Sequence, residues 1–221
     1  MKRLRIGFSQ LLAAGACLFL FAGYTAAQTE PGFKPLFNGK NLDGWKLVRG
    51  QGPGYVVEGD RIVCPSDGGG NLFTEKEYAN FVLRLEFKLS PGGNNGIGLR
   101  APLEGDAAYQ GMEIQVLDDP APQYKDIKPA QHSGSIYLVF AAKQGLLKPT
   151  GEWNSYEITA NGRHVSIKLN QTMIVDADLD TMKDPEILKA HPGLARKTGH
   201  IGFLGHRSHV EFRNVRIKEL P

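Results

Sequence analysis

Alternation of apolar and polar side chains dominates this chain. Gly111 to Asp119, GMEIQVLDD, sets Met112, Ile114 and Val116 on one side of an extended backbone and Glu113 and Gln115 on the other. Asn94 to Arg100, NNGIGLR, repeats the grammar, with Ile97 and Leu99 inward and Gly96, Gly98 and Arg100 outward. Phe81 to Ser90 alternates Phe81, Leu83, Leu85, Phe87 and Leu89 with Val82, Arg84, Glu86 and Lys88, a core face and a solvated face. Tyr55–Val57 and Ile62–Cys64 predict a hairpin about Glu58-Gly59-Asp60. HSGSIYLVF predicts another strand. Residues 146–178 predict a three-strand meander turning at Asn161-Gly162 and Asn170-Gln171, and GHIGFLGHRSHVEFRNVRIKEL closes the chain as two strands. The glycine triplet of SDGGGNLFTEKEYANF predicts a loop; it lacks the strand-and-helix spacing of a phosphate cradle. Helix is expected only as one short segment near 180–190, bounded by Pro185 and Pro192. About a dozen short strands with turn signals every ~8–12 residues predict an all-β fold, an antiparallel β-sandwich.

Composition changes this picture mainly at the N-terminus. Lys2, Arg3 and Arg5 precede an apolar run from about Leu11 to Ala22, and Thr25 and Ala27 offer small residues before a cut. Residues 1–27 are expected to be a signal peptide and 28–221 a single exported domain, periplasmic or secreted, with no membrane association after cleavage. Cys17 does not suit lipid attachment, because the apolar run continues past it. The formal net charge of +3 resides entirely in those three cations, leaving 23 basic against 23 acidic residues. A neutral mature chain without a basic, aromatic-interleaved cluster argues against a nucleic-acid partner. Only Cys64 would remain, so no internal disulfide can form, and its strand-end context suits a buried structural thiol.

The candidate chemistry lies on the polar faces. Six scattered histidines form no zinc motif, whereas loop oxygens such as those of Asp118 and Asp119 leave calcium open. No G-x-S-x-G elbow is present. A two-carboxylate glycosidase would need a second acid beside Glu113. Gln115 stands there instead, and Asp118 falls on the opposite parity unless a bulge re-aims it. Glu113 alone could equally be a structural partner of Arg100. The long connection from Asp119 to Gln131 is of the kind that often carries function. Trp45 is expected in the core.

FKPLFNGKNLDGW, NNGIGLR, GMEIQVLDD, SGSIY, PTGEWN and the closing GHIGFLGHRSHVEFRNVRIKEL together resemble the 3-keto-disaccharide hydrolase domain family, over roughly Gly32 to Leu220. The resemblance implies a concanavalin A-like jelly roll, an exported bacterial protein, and cleavage of glycosides that carry a ketone at C3 of the sugar. Such a ketone acidifies the C2 hydrogen. One base can then remove it, the C1 substituent leaves, and water adds. On that chemistry Glu113 is the expected base and His206, in GFLGH, a candidate acid or second base, with Asp118 held as a further catalytic candidate. Arg100, Gln115 and Tyr137 would hold the ketone or hydroxyls. Trp153 and Asn154, in GEWN, are candidate sugar contacts, Trp153 either stacking on a ring or packing under a turn. The rival reading is a lectin-like module that binds glycans without chemistry.

Overall fold

In the computed structural model, which describes residues 30–221, the alternating runs become strands of two antiparallel sheets. The expected signal peptide, Cys17 included, lies outside the described residues. The strands are β1 (Lys34–Pro35), β2 (Trp45–Gln51), β3 (Val56–Glu58), β4 (Arg61–Cys64), β5 (Gly69–Tyr78), β6 (Phe81–Leu89), β7 (Asn94–Ala101), β8 (Met112–Leu117), β9 (Trp153–Asn161), β10 (His164–Leu169), β11 (Thr172–Asp178), β12 (Gly199–Gly205) and β13 (Val210–Glu219). The larger sheet runs β11-β10-β9-β6-β13-β4-β3, with β1 also paired to β13; the smaller runs β2-β5-β12-β7-β8. Two short helices, α1 (Ala107–Gln110) and α2 (Pro185–Ala190), punctuate the sandwich.

The facing apolar sets interdigitate between the sheets. Leu83, Leu85 and Phe87 of β6 and Phe212 of β13 meet Ile97 and Leu99 of β7, Ile114 of β8 and Phe203 of β12 in one buried cluster. Phe203 is the hub. It stacks on Phe212 at 4.0 Å and on Trp45 at 5.4 Å, which puts Trp45 in the core as its sequence context suggests. Each such side chain removed from water contributes roughly 1.5–3 kcal/mol, so a core of this extent holds a domain without a disulfide. Cys64 is buried in the same cluster.

Two stretches differ from expectation. The glycine triplet opens β5, an interior strand of the smaller sheet between β2 and β12. Its glycines are needed for closeness: a Cβ on Gly70 would lie 2.6 Å from the carbonyl oxygen of Arg49. Charged Glu75, Lys76 and Glu77 occupy its exposed end, which hides the strand from a periodicity reading. HSGSIYLVF, in turn, is no regular strand. Its Ser133–Tyr137 part lies along the free edge of β8 through a single bridge, Ile114 to Ile136, with Gly134 N donating to Gln115 O and Tyr137 N to Glu113 O. It covers an edge that would otherwise expose unpaired backbone.

Candidate active site on the outer face of the smaller sheet

Core packing of Met112, Ile114 and Val116 turns Glu113 and Gln115 to the outer face of β8. Register sets Gly98 opposite Glu113 and Gly96 opposite Gln115 on β7. The glycines make room: a Cβ on Gly96 would sit 1.8 Å from Glu113 Oε1. The carboxylate therefore lies flat over bare backbone. Glu113 is 4% exposed, and its Oε1 has no hydrogen-bond partner among the described residues. Such an orphaned buried acceptor costs about 1–3 kcal/mol and calls for an explanation.

His206 follows directly after β12. Its Nε2 stands 3.8 Å from Glu113 Oε1, near enough for charge coupling and too far for a direct hydrogen bond. Burial pushes the Glu113 carboxyl above the usual carboxylate range; His206 pulls the other way without cancelling it, and Asp106 adds to the rise. Glu113 in turn raises the half-exposed His206 imidazole above its ordinary value, against its own partial desolvation. Upward shifts of this kind, a more basic carboxylate beside a more readily protonated imidazole, suit general base and general acid.

Tyr137 is the neighbour of Glu113 on the other side. Its backbone N–H donates to Glu113 O at 2.9 Å, and its hydroxyl accepts from Gln131 Nε2 at 3.1 Å. Its ring meets Tyr109 edge-on at 6.5 Å, and Tyr109 lies 4.8 Å from the buried His191 ring. Tyr109 and Asp106 come from the β7–β8 connection, where Asp106 caps α1 through the Ala108 N–H. Burial, then the charges of Tyr137, Asp106 and Glu113, hold the Tyr109 phenol above its ordinary value. The sequence reading passed over Asp106, Tyr109 and His191. For Asp106 and Tyr109 a signal of the short helix was present in DAAYQG, a capping residue, helix formers and a terminal glycine.

The other expected site residues lie elsewhere. Arg100 does not share the Glu113 face. A bulge sets β7 residues Gly98 to Ala101 against β12 residues Gly202 to His200, leaving Arg100 at φ 48° as the extra residue. Its buried guanidinium donates to the carbonyls of Ala79 (2.9 Å) and Gly162 (2.8 Å), joining loops at one end of the sandwich. Asp118 directly follows β8, where Oδ2 accepts from Gly92 N and Oδ1 from Thr150 Oγ1, a loop anchor. Asp119 accepts from Ser133 N. Both aspartates thus tie loops together, and no cluster of three or more His, Cys, Asp or Glu suited to a metal occurs among the described residues. Trp153 and Asn154 belong to β9 of the larger sheet. Asn154 faces inward and pins the meander by accepting from Lys148 N and Asn170 Nδ2. Trp153 lies on the outside, under Arg213 at 3.9 Å and Lys88 at 5.1 Å.

Residues 32–218 match the 3-keto-alpha-glucoside-1,2-lyase-like domain. The chain belongs to that family. A 3-keto-disaccharide hydrolase of Bacteroides thetaiotaomicron is 26% identical over 236 residues, covering 86% of this chain and 79% of the relative. A solved candidate glycosyl hydrolase from Parabacteroides distasonis is 28% identical with a TM-score of 0.73, over 85% of this chain and 99% of that one. The carbohydrate binding module CBM66 from Bacillus subtilis, 15% identical with a TM-score of 0.50 over 80% and 96% of the two chains, shares the sandwich alone. The 3-keto-alpha-glucoside-1,2-lyase-like family thus combines sugar-processing enzymes with a lectin-type architecture, and in this member Glu113 and His206 lie on one open face of it.

Proposed function

We propose that this chain cleaves the glycosidic bond of 3-keto-glycosides by elimination followed by hydration. The observation that carries the reading is the buried Glu113 carboxylate, unpaired at Oε1 and set 3.8 Å from His206. Glu113 takes the C2 hydrogen as a proton, and the electrons of that bond pass to the C3 ketone as an enolate. Collapse of the enolate forms the C1–C2 double bond and breaks the bond from C1 to the glycosidic oxygen. His206, whose imidazole Glu113 makes more readily protonated, is the acid that gives a proton to the leaving oxygen. Water then adds across the double bond, hydroxyl to C1 and proton to C2, releasing the 3-keto-sugar. Tyr137, Tyr109 and Gln115 supply donors around the site for the developing enolate. Burial of the base fits the task, because a desolvated carboxylate abstracts a carbon-bound proton more readily than a solvated one. The protein is proposed to act in the periplasm or outside the cell, on the strength of its leader-like first 27 residues.

Incubating the mature protein with 3-keto-trehalose in deuterated water tests this. Release of 3-keto-glucose with deuterium at C2, lost in Glu113→Gln, is the expected result. Release without C2 label, or undiminished turnover by Glu113→Gln, would overturn it. Saturable binding with no release would assign the chain to the lectin-like reading instead.

A further inference from the structure

The buried side-chain oxygens without a hydrogen-bond partner among the described residues are two, Glu113 Oε1 and Asn94 Oδ1. They come from adjacent strands and share one face. Asn95, next in sequence, points into the core toward Tyr55, so Asn94 points outward with Gly96 and Gly98. Across the sheet, β12 and β7 pair as far as Gly205 and Asn95. Asn94 precedes and His206 follows that last pair, so both flank the same end of the ladder. Asn94 thus shares a face with Gly96, whose missing side chain leaves room for the Glu113 carboxylate, and that carboxylate reaches His206 at 3.8 Å.

We propose that Asn94 is a sugar-binding residue of this site, its side-chain oxygen accepting a hydrogen bond from a ring hydroxyl that flanks the C3 ketone. This rests on the proposed reaction. The ketone oxygen is itself an acceptor and cannot satisfy Asn94 Oδ1, whereas the hydroxyls on either side of it are donors. An orphaned acceptor contributes nothing to the fold, so its removal should weaken sugar binding without weakening the protein.

The test is Asn94→Leu, made both in the wild-type chain and in Glu113→Gln. In the wild-type background KM for 3-keto-trehalose should rise about tenfold or more while kcat changes less than about threefold, the scale of one lost hydrogen bond. In the Glu113→Gln background, calorimetry should show 3-keto-trehalose binding weakened by the same factor, and thermal unfolding should occur at an unchanged or higher temperature. Asn94→Asp, which keeps the acceptor, should retain most of the affinity. Unchanged KM and affinity in Asn94→Leu overturn the inference. So does a marked loss of thermal stability, which would make Asn94 structural, or a chelator-sensitive activity that Asn94→Leu abolishes, which would make it a metal ligand. If Glu113→Gln is inactive while Asn94→Leu behaves as wild type, only this inference falls. If Glu113→Gln turns over normally, the proposed reaction falls.

Discussion

At the scale of the residue, Glu113 dominates, because the fold holds a carboxylate where it is costly. Its pKa is raised on folding by burial, so the folded state holds its proton more tightly than the unfolded chain. Stability on that account is greatest below the ordinary value of 4.5 and is lost as pH rises through the raised folded value. Glu113→Gln lacks this loss. It should resist urea better than the wild type at neutral pH, with the difference closing below about pH 4.5. The same substitution should lower the titration midpoint of His206, read by NMR of the imidazole, since Glu113 is the main cause of its rise. Gly96→Ala tests geometry rather than charge. Its Cβ would displace Glu113 Oε1, the mobile end of a side chain, so the fold should survive with a small change in melting temperature. Turnover should fall by about 100-fold, the effect of moving a catalytic group by an ångström or so. Glu113 was legible in the sequence, because alternation separates it from the core. Its isolation at Oε1 was not, since that depends on what two other strands leave uncovered.

At the scale of the element, the β7 bulge decides most. Strict alternation sends Arg100 outward beside Gly98. The inserted residue carries it instead to the end of the sandwich, where it binds the Ala79 and Gly162 carbonyls while Arg196 Nε donates to its own carbonyl. Arg100→Met would leave buried acceptors unpaired and should cost about 2–4 kcal/mol in denaturant unfolding, with activity per folded molecule retained. A role for Arg100 in holding substrate would show instead as a specific loss of kcat/KM. Period-two reasoning fails at a bulge because the extra residue has no sequence signature of its own; only the pairing partner reveals the miscount. The β8 edge makes a similar point. The Ser133–Tyr137 segment reaches Glu113 through long-range backbone bonds, and alternation alone could mark it only as a strand.

At the scale of the whole molecule, the sandwich has two outer faces that do different work. Glu113, His206, Tyr137 and Asn94 lie on or beside the smaller sheet's outer face. The larger sheet's face is a lattice of compensated charges, Arg84 with Glu157, Arg213 with Glu86 and Lys88 with Glu211. Trp153 is part of that lattice. Trp153→Ala should leave kcat/KM for a 3-keto-glycoside within about twofold while costing about 0.5–2 kcal/mol through lost cation–π contact, measured by unfolding. The sequence by itself determined the class of fold, most of the strands and the outward turn of Glu113 between core residues. These follow from local rules: side chains alternate along a strand, and apolar ones leave water. The meander, the closing pair of strands and the buried Trp45 and Cys64 were legible for the same reason. The β5 strand, the turn of Arg100 away from the site, the loop-anchoring use of Asp118, and the aromatic company of Tyr109 and His191 were decided by tertiary structure alone. Each depends on which distant backbone lies alongside, and residues far apart in a chain carry no local mark of the neighbour that will meet them.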